Sequence, residues 1–249
     1  MSAFLDRIAS TASNSLAEYP EVLNYLINDR KLTRADLDKF GVGYCSNIVV
    51  RPESSKDFKV FEKDSSGFRS LQRKALFPIR ACNGNTLGFS ARRMGDSASV
   101  TDSGKPIPRY RNYVTDESKI VGGFFGITEA IPHILETGYV YVTEGAVDCI
   151  SLAKVFPNTV STLTSSINEA QMWALSMFAE QVVVVFDSDQ PGKDGAQYVA
   201  DRYGADKVKV RDLSYHDCNT CLQTLGEEGF KNYMKRKLTF LKCRKVARR

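Results

Sequence analysis

The sequence has little of what marks a membrane protein or a secreted protein. No run of about 18 apolar residues occurs, which argues against a membrane-spanning helix. The first residues, MSAFLDRIASTASNS, lack the basic start and the continuous apolar stretch of a secretory signal. We therefore expect a soluble globular protein in the cytoplasm that does not associate with a membrane.

Cysteine and histidine are too few and too scattered for a disulfide scaffold or a structural zinc site. The chain has six cysteines and two histidines in 249 residues, a length that can bury a sizeable core without disulfides. His216, Cys218 and Cys221 lie close together, but a zinc site needs four ligands and no second pair matches them. We expect most cysteines to be reduced and buried, and no zinc site in this segment.

Negative charge is missing from the C-terminal end. Residues 231–249 contain nine Lys or Arg and no acid, so the formal net charge of +5 comes from this end and the rest of the chain is net negative. Such a tail suits phosphate contact, with its apolar residues on one helical face and its charges opposite. A solvated helix end is the alternative, and the sequence does not decide between the two.

Residues 139–211 alternate between β-like and helix-like segments. Strands are predicted at 139–143, 159–162, 182–186 and 207–210, and helices at 147–155, 168–178 and 194–203. This order predicts a mostly parallel sheet with right-handed crossovers. Trp173 and the methionines of the second helix recur at helical spacing and are interpreted as core residues.

The pattern changes before about residue 130, which predicts a second region. Thr33 is placed to cap a helix over 34–40, and Asn83-Gly84 separates two β-like runs that predict a hairpin. The cations around this hairpin are Arg69, Arg73, Lys74, Arg80, Arg92 and Arg93. A ribbon with this charge could lie along a phosphate backbone. A charged sheet edge that resists aggregation is the alternative.

Two carboxylates end the most apolar strand. Because strand side chains repeat with period two, Asp187 and Asp189 should project to one side, about 6 to 7 Å apart in extended backbone. Two like charges there repel each other unless a positive charge lies between them. A hard cation such as Mg²⁺ prefers carboxylate oxygens. The pair therefore predicts a divalent metal site, with a solvated turn as the alternative.

Acids follow two further strands of the same predicted sheet. Glu144 and Asp148 come after the first strand, and Asp217 lies in a polar cluster after the last. The carboxyl ends of parallel strands meet at one edge, where open α/β sheets bind their ligands. Carboxylates from three strand ends favour the metal site over a solvated turn.

These residues resemble a known family. Glu144-Gly145 with Asp148, followed by Asp187-x-Asp189, is similar to the TOPRIM domain of bacterial-type primases, topoisomerases and some nucleases. Other stretches, spread in order over about residues 20–225, are similar to the catalytic core of DnaG-type primases. They are RKL (30–32), FGVGY (40–44), LFPIR (76–80), GFSAR (88–92), PRYRN (108–112) and FFGI (124–127).

The resemblance implies a fold, a division of the chain and a function. The fold is α/β, with an α+β N-terminal subdomain followed by a Rossmann-like TOPRIM domain that has a mostly parallel sheet. The predicted divisions are a basic primase-core subdomain (1–130), the TOPRIM domain (131–225) and a basic C-terminal tail (226–249). The implied function is a DNA primase, which makes short RNA primers from ribonucleoside triphosphates on single-stranded DNA during DNA replication.

The resemblance also implies roles for individual residues. Asp187 and Asp189 would bind Mg²⁺ or Mn²⁺, with Asp217 as a further ligand. Glu144, supported by Asp148, would be the general base or a metal-organising group. The candidates to hold template, primer or nucleotide phosphates are Arg69, Arg80, Arg92, Arg109 and Lys119.

The sequence departs from the family pattern in three ways. Asn219 stands where the family often has another Asp. No Cys/His cluster precedes residue 40, and no helicase domain follows the TOPRIM region. We therefore expect a reduced primase of a kind that a bacteriophage encodes, acting in the host cytoplasm with a replicative helicase and a separate zinc-bearing or loading protein.

Two other functions stay open. A TOPRIM nuclease would use the same acids to activate water, although the arginine-rich region before residue 130 argues against it. A non-catalytic replisome adaptor would keep the fold and bind nucleic acid. The intact acids at Glu144, Asp187 and Asp189 argue against the adaptor.

Overall fold

The computed structural model describes residues 3–46, 71–94, 108–114 and 121–238. Within these ranges the chain forms two four-stranded sheets, one antiparallel and one parallel. This confirms the predicted α/β class, with an α+β region that precedes a parallel sheet. Two predicted phosphate ligands, Arg69 and Lys119, lie outside the described residues, as do residues 239–249 of the basic tail.

Short helices build the start of the N-terminal region. They are α1 (Ala3–Ser15), α2 (Pro20–Asn24) and α3 (Arg34–Lys39), and a π-helical turn, Tyr25–Asp29, follows α2. Thr33 caps α3 as predicted. Its hydroxyl accepts a hydrogen bond from the Asp36 N–H at 3.1 Å, and the Asp36 carboxylate accepts one from the Thr33 N–H at 2.7 Å. This reciprocal pairing satisfies backbone donors that the first turn of a helix leaves free.

The antiparallel sheet contains the predicted hairpin. Its strands are β1 (Gly43–Cys45), β2 (Lys74–Arg80), β3 (Thr86–Arg93) and β4 (Tyr110–Val114), in that spatial order. The β2–β3 turn passes through Gly84, which has a positive φ of 89°. Helix α1 buries Phe4, Leu5 and Ile8 against this sheet.

The parallel sheet forms the second half of the fold. Its strands are β5 (Tyr139–Thr143), β6 (Thr159–Ser161), β7 (Gln181–Val184) and β8 (Val208–Val210), in the spatial order β6-β5-β7-β8. The helices around it are α4 (Ile127–Thr137), α5 (Ala146–Ala153), α6 (Glu169–Ser176), α7 (Gln190–Tyr203) and α8 (Cys218–Leu238). The connection after β5 leads to β6 on one side of the sheet, and the connection after β7 leads to β8 on the other side. The boundary between β5 and β7 is therefore a topological switch point, the position where such sheets bind ligands.

Two details differ from the sequence predictions. Helix α7 begins at Gln190, ahead of the predicted residue 194, because Asp189 caps it and Pro191 is accommodated in its first turn. The interpretation of Trp173 and Met177 as core residues is wrong, since they are 62% and 51% exposed. In this short helix Met172 and the residues on its side turn inward, which leaves Trp173 on the opposite face.

The two sheets are joined through a shared core. The aromatic rings of Phe40, Phe77 and Phe125 pack with Cys149 and Ile150 of α5. In addition, Phe125 and Ser161 pair their backbones beside the parallel sheet. The predicted boundary at residue 130 stays a prediction. This packing brings the π-helical turn and β4 close to the parallel sheet.

Helix α8 runs past the predicted boundary at residue 225. It bends at Gly226, which has a positive φ of 67°, and continues to Leu238. Beyond the bend, Phe230, Met234 and Leu238 are fully buried in a cluster with Tyr141 of β5. Residues 226–238 thus contribute to the core of the parallel sheet, while a role for the basic tail in phosphate contact stays a prediction.

Four cysteines are buried as expected, namely Cys45, Cys149, Cys218 and Cys221. None of the helices in the described ranges combines the length and apolar character needed to cross a bilayer.

Candidate active site

The loops that follow β5, β7 and β8 are tied together at one edge of the parallel sheet. Glu144, just after β5, accepts a hydrogen bond through Oε1 from the backbone N–H of Asp187, at 3.1 Å. The backbone N–H of Ser188 donates to the carbonyl oxygen of His216 at 2.7 Å. These two bonds bring the acids after three different strands to one place, as the sequence predicted for carboxyl ends of parallel strands.

Gly192 allows helix α7 to begin against this edge. A Cβ at this position would lie 2.2 Å from the Asp187 carbonyl oxygen and 2.7 Å from Glu144 Oε1. Both distances are far below any real Cβ contact, so a side chain there would push the helix away from the acids. The N–H of Gly192 donates to Asp189 Oδ1 at 2.9 Å, which makes Asp189 the N-cap of α7.

A cavity of about 350 Å³ opens above the acids. Four acids contribute to its lining, namely Glu144, Asp148, Asp187 and Asp217. The N-terminal region contributes Arg30, Ser90, Tyr110 and Asn112 to the same lining. This volume lies within the range of about 300–1,000 Å³ that is typical of ligand sites.

Burial and, after it, the crowding of like charges raise the pKa of Asp187 and of Asp148. Burial raises the pKa of Asp187 to about 7, and repulsion from Glu144 and Asp217 adds to the effect. Burial, followed by repulsion from Asp217 and Asp187, also raises the pKa of Asp148 well above its usual value. Among the residues that the structure describes, neither Glu144 nor Asp187 forms an ion pair with a Lys or Arg. A positive charge from outside the protein would relieve this repulsion.

Three side chains at this edge are close enough to hold one cation. Asp187, His216 and Asp217 offer ligand atoms that all lie within 4.8 Å of one another. Carboxylates and an imidazole are ordinary ligands of divalent metals. The donor set therefore fits a divalent cation. Asp189 lies outside this group, and its Oδ1 accepts the capping hydrogen bond of α7. Its assignment as a metal ligand therefore stays a prediction.

Known proteins resemble this chain in sequence and in fold. Residues 141–222 match the Toprim-like family, a range that includes all the acids of the site. The DNA primase of Aquifex aeolicus (strain VF5) is 26% identical over 204 residues, which cover 76% of this chain and 39% of that protein. The E. coli primase catalytic core superposes with a TM-score of 0.72 at 21% identity, over 94% of this chain and 79% of the other.

This chain is similar in sequence to DNA primases, and its residues 141–222 are similar to the Toprim-like family. Its fold is also that of a DnaG primase catalytic domain that was solved in complex with ssDNA. The two superpose with a TM-score of 0.67 at 22% identity, over 94% of this chain and 79% of the other. The chain spans about two fifths of the length of the curated primases that it matches, 39% for the protein from Aquifex aeolicus.

The primase fold places the predicted cations in different environments. Arg92 is only 4% exposed, and its guanidinium lies 4.0 Å from the ring centre of Tyr25 and 5.7 Å from that of Tyr110. This stacking fixes Tyr110 at the cavity wall. Arg109 is exposed beside β4. Arg80 pairs with Glu129 at 3.4 Å and lines a separate cavity that contains none of the site acids. Phosphate binding by these three arginines stays a prediction.

Arg30 is a functional candidate for which the sequence gave no role. Its Nη1 donates to Asn219 Oδ1 at 3.3 Å, and the Asn219 amide donates to the Arg30 carbonyl oxygen at 2.7 Å. The backbone N–H of Asn219 donates in turn to Asp148 Oδ1 at 2.8 Å. Asn219, where the family often has Asp, thus links the Arg30 side chain to the Asp148 carboxylate. The one sequence signal that included Arg30 was the RKL stretch (30–32), which is similar to the catalytic core of DnaG-type primases.

Proposed function

We propose that the chain is a DNA primase, a DNA-dependent RNA polymerase that makes short RNA primers on single-stranded DNA during replication. The observation that carries this proposal is that four carboxylates, which follow three different strands at the carboxyl edge of the parallel sheet, line one cavity. Arg30 lines the same cavity and is linked to Asp148 through Asn219. Carboxylates suit the cation of a metal-bound triphosphate, and a guanidinium suits its phosphate oxygens.

Asp187 and Asp217 would hold the divalent cation, Mg²⁺ or Mn²⁺, with Asp189 as a further ligand. Such a cation would supply positive charge for the triphosphate and for the attacking and leaving oxygens of an in-line displacement. Glu144 would take the proton of the attacking 3′-hydroxyl as the new P–O bond forms and pyrophosphate leaves. Burial raises the pKa of Glu144, which improves it as a base near neutral pH.

The template would approach from the side of the N-terminal region. Arg109 is exposed at the start of β4, next to the strand that supplies Tyr110 and Asn112 to the cavity. A related primase domain is bound to ssDNA in its structure, and we propose the same class of template for this chain. A replicative helicase and a zinc-bearing or loading protein stay predicted partners.

Incorporation of labelled ribonucleotides on single-stranded DNA tests the proposal. The wild type should make short products with Mg²⁺ or Mn²⁺, and Asp187→Asn should make none. Asp201→Asn is the matched control, because Asp201 is an exposed acid of α7 that accepts a hydrogen bond from Gln197 outside the site. Its product yield should equal that of the wild type.

The same reactions separate the alternatives. Metal-dependent cleavage of the labelled DNA in the absence of nucleotides, if it is lost in Asp187→Asn, would show that the chain is a nuclease and not a primase. Binding of single-stranded DNA with neither synthesis nor cleavage would favour the adaptor.

A further inference from the structure

We infer that His216 is a ligand of the metal site, and that its imidazole nitrogen makes the site prefer first-row transition dications over Mg²⁺. This inference rests on the proposed metal site at Asp187 and Asp217, and it adds to that site both a ligand and a class of metal. The neighbouring acids alone would provide an all-oxygen site.

The imidazole of His216 lies close enough to the two carboxylates for all three groups to bind one ion. His216 Nδ1 lies 3.5 Å from Asp217 Oδ2, and the three ligand atoms of the group lie within 4.8 Å of one another. With metal–ligand bonds of about 2.1 Å, adjacent ligands are about 3 Å apart and opposite ligands about 4.2 Å apart. Movements of several tenths of an ångström would therefore bring all three side chains onto one ion.

Backbone contacts hold His216 in position and leave its ring available. The carbonyl oxygen of His216 accepts the hydrogen bond from Ser188, in the loop that also carries Asp187. Asp217 Oδ1 accepts from the Thr220 N–H at 2.5 Å at the start of α8, which leaves Oδ2 on the side of the imidazole. The His216 side chain is 58% exposed, so its ring can turn towards an ion without leaving a packed environment.

The chemistry of the donors then decides between metals. Mg²⁺ demands a near-ideal octahedron of oxygens and keeps several waters. An imidazole nitrogen adds affinity for transition dications, whose binding to a given site rises from Mn²⁺ towards Cu²⁺. One nitrogen beside two carboxylates therefore favours a transition dication, for which Mn²⁺ is a convenient paramagnetic probe.

Electron spin-echo spectroscopy of Mn²⁺ added to the metal-free chain tests this inference without any activity measurement. A directly bound imidazole gives ¹⁴N modulation of the Mn²⁺ signal. The chain offers a matched control, because its other histidine, His133, lies in α4 outside the group of ligands. The modulation should be present in the wild type and in His133→Gln and absent in His216→Gln.

Calorimetric titrations of Mn²⁺ and of Mg²⁺ provide the second readout. His216→Gln should weaken Mn²⁺ binding by about tenfold or more, a lower bound taken from the about 10- to 100-fold effect of residues that merely support a ligand. Mg²⁺ binding should change by less than about threefold, since Mg²⁺ gains little from nitrogen.

Two results would overturn the inference, and they differ in what they say of the proposed function. Mn²⁺ binding that depends on Asp187 but shows no ¹⁴N modulation would remove His216 from the site and leave the acidic metal site standing. Absence of Mn²⁺ binding, in the wild type and in Asp187→Asn alike, would remove the metal site itself.

Discussion

Replacing Asp187 with Asn should make the metal-free protein more stable at pH 8, although it should abolish the proposed activity. The carboxylate has a pKa of about 7 against an ordinary value of 3.8, because of burial and of repulsion by Glu144 and Asp217. This increase corresponds to at most about 4 kcal/mol of unfolding free energy, at about 1.36 kcal/mol per pH unit. Asp187 keeps some solvent contact and shares its repulsion with two neighbours, so we expect about 1–2 kcal/mol.

The sign of the effect fixes its pH dependence. The folded state holds the Asp187 proton more tightly than the unfolded state does, so this group lowers stability as pH rises. Its penalty is absent below about pH 4, grows between pH 4 and 7, and is complete above about pH 7. The Asn variant has no such penalty, and its advantage over the wild type should be clearly smaller at pH 5 than at pH 8.

Urea unfolding in EDTA at pH 5 and pH 8 measures this difference, with Asp201→Asn as the control for a change of net charge at an exposed position. A divalent cation at 100 times its Kd should add about 2.7 kcal/mol to the wild type and much less to Asp187→Asn, which reverses the order of stability. A variant that is less stable than the wild type in EDTA at pH 8 would refute the reasoning. So would an advantage of equal size at both pH values.

Three further substitutions test other contacts of the site. Gly192→Ala should cost about 1–3 kcal/mol in urea unfolding, because its Cβ overlaps the Asp187 carbonyl; an unchanged midpoint would contradict the close approach of α7. Glu144→Gln should lower primer synthesis by about 10²-fold or more, while thermal unfolding at pH 8 should not fall below that of the wild type, because Gln keeps an acceptor for the Asp187 N–H and removes a charge that repels Asp187. Asn219→Ala should cost about 1–3 kcal/mol, since it removes a buried amide that is hydrogen-bonded to the Arg30 carbonyl and to the Ser151 hydroxyl; a loss below about 0.5 kcal/mol in chemical unfolding would show that this link is not structural.

The sequence predicted the parts of the fold that depend on local pattern. The strand 139–143 agrees with the observed bounds, and the α3 cap at Thr33 and the hairpin turn at Gly84 are observed where expected. Each depends on a few neighbouring residues, through β-propensity, a capping side chain or a glycine with positive φ. The edge where Glu144 and Asp187 meet was also predictable, because parallel strands place their carboxyl ends together.

The remaining features depend on contacts that no local pattern records. The hydrogen bonds between Arg30 and Asn219 join residues 189 positions apart, and only the packing of the N-terminal region on α5 brings the two together. Asp189 shows a different difficulty, since the same residue fits both a metal ligand and a helix cap, and the structure shows the cap. Trp173 was misplaced because helical spacing identifies a face but not which face is covered.

The most direct test of the account is the sequence of the product made on a single-stranded DNA template of known sequence, with labelled ribonucleotides and Mn²⁺ or Mg²⁺. The account predicts short ribonucleotide chains that are complementary to the template, absent in Asp187→Asn and present in Asp201→Asn. Products that ignore the template, or that persist in Asp187→Asn, would contradict a primase whose chemistry depends on the acidic edge of the parallel sheet.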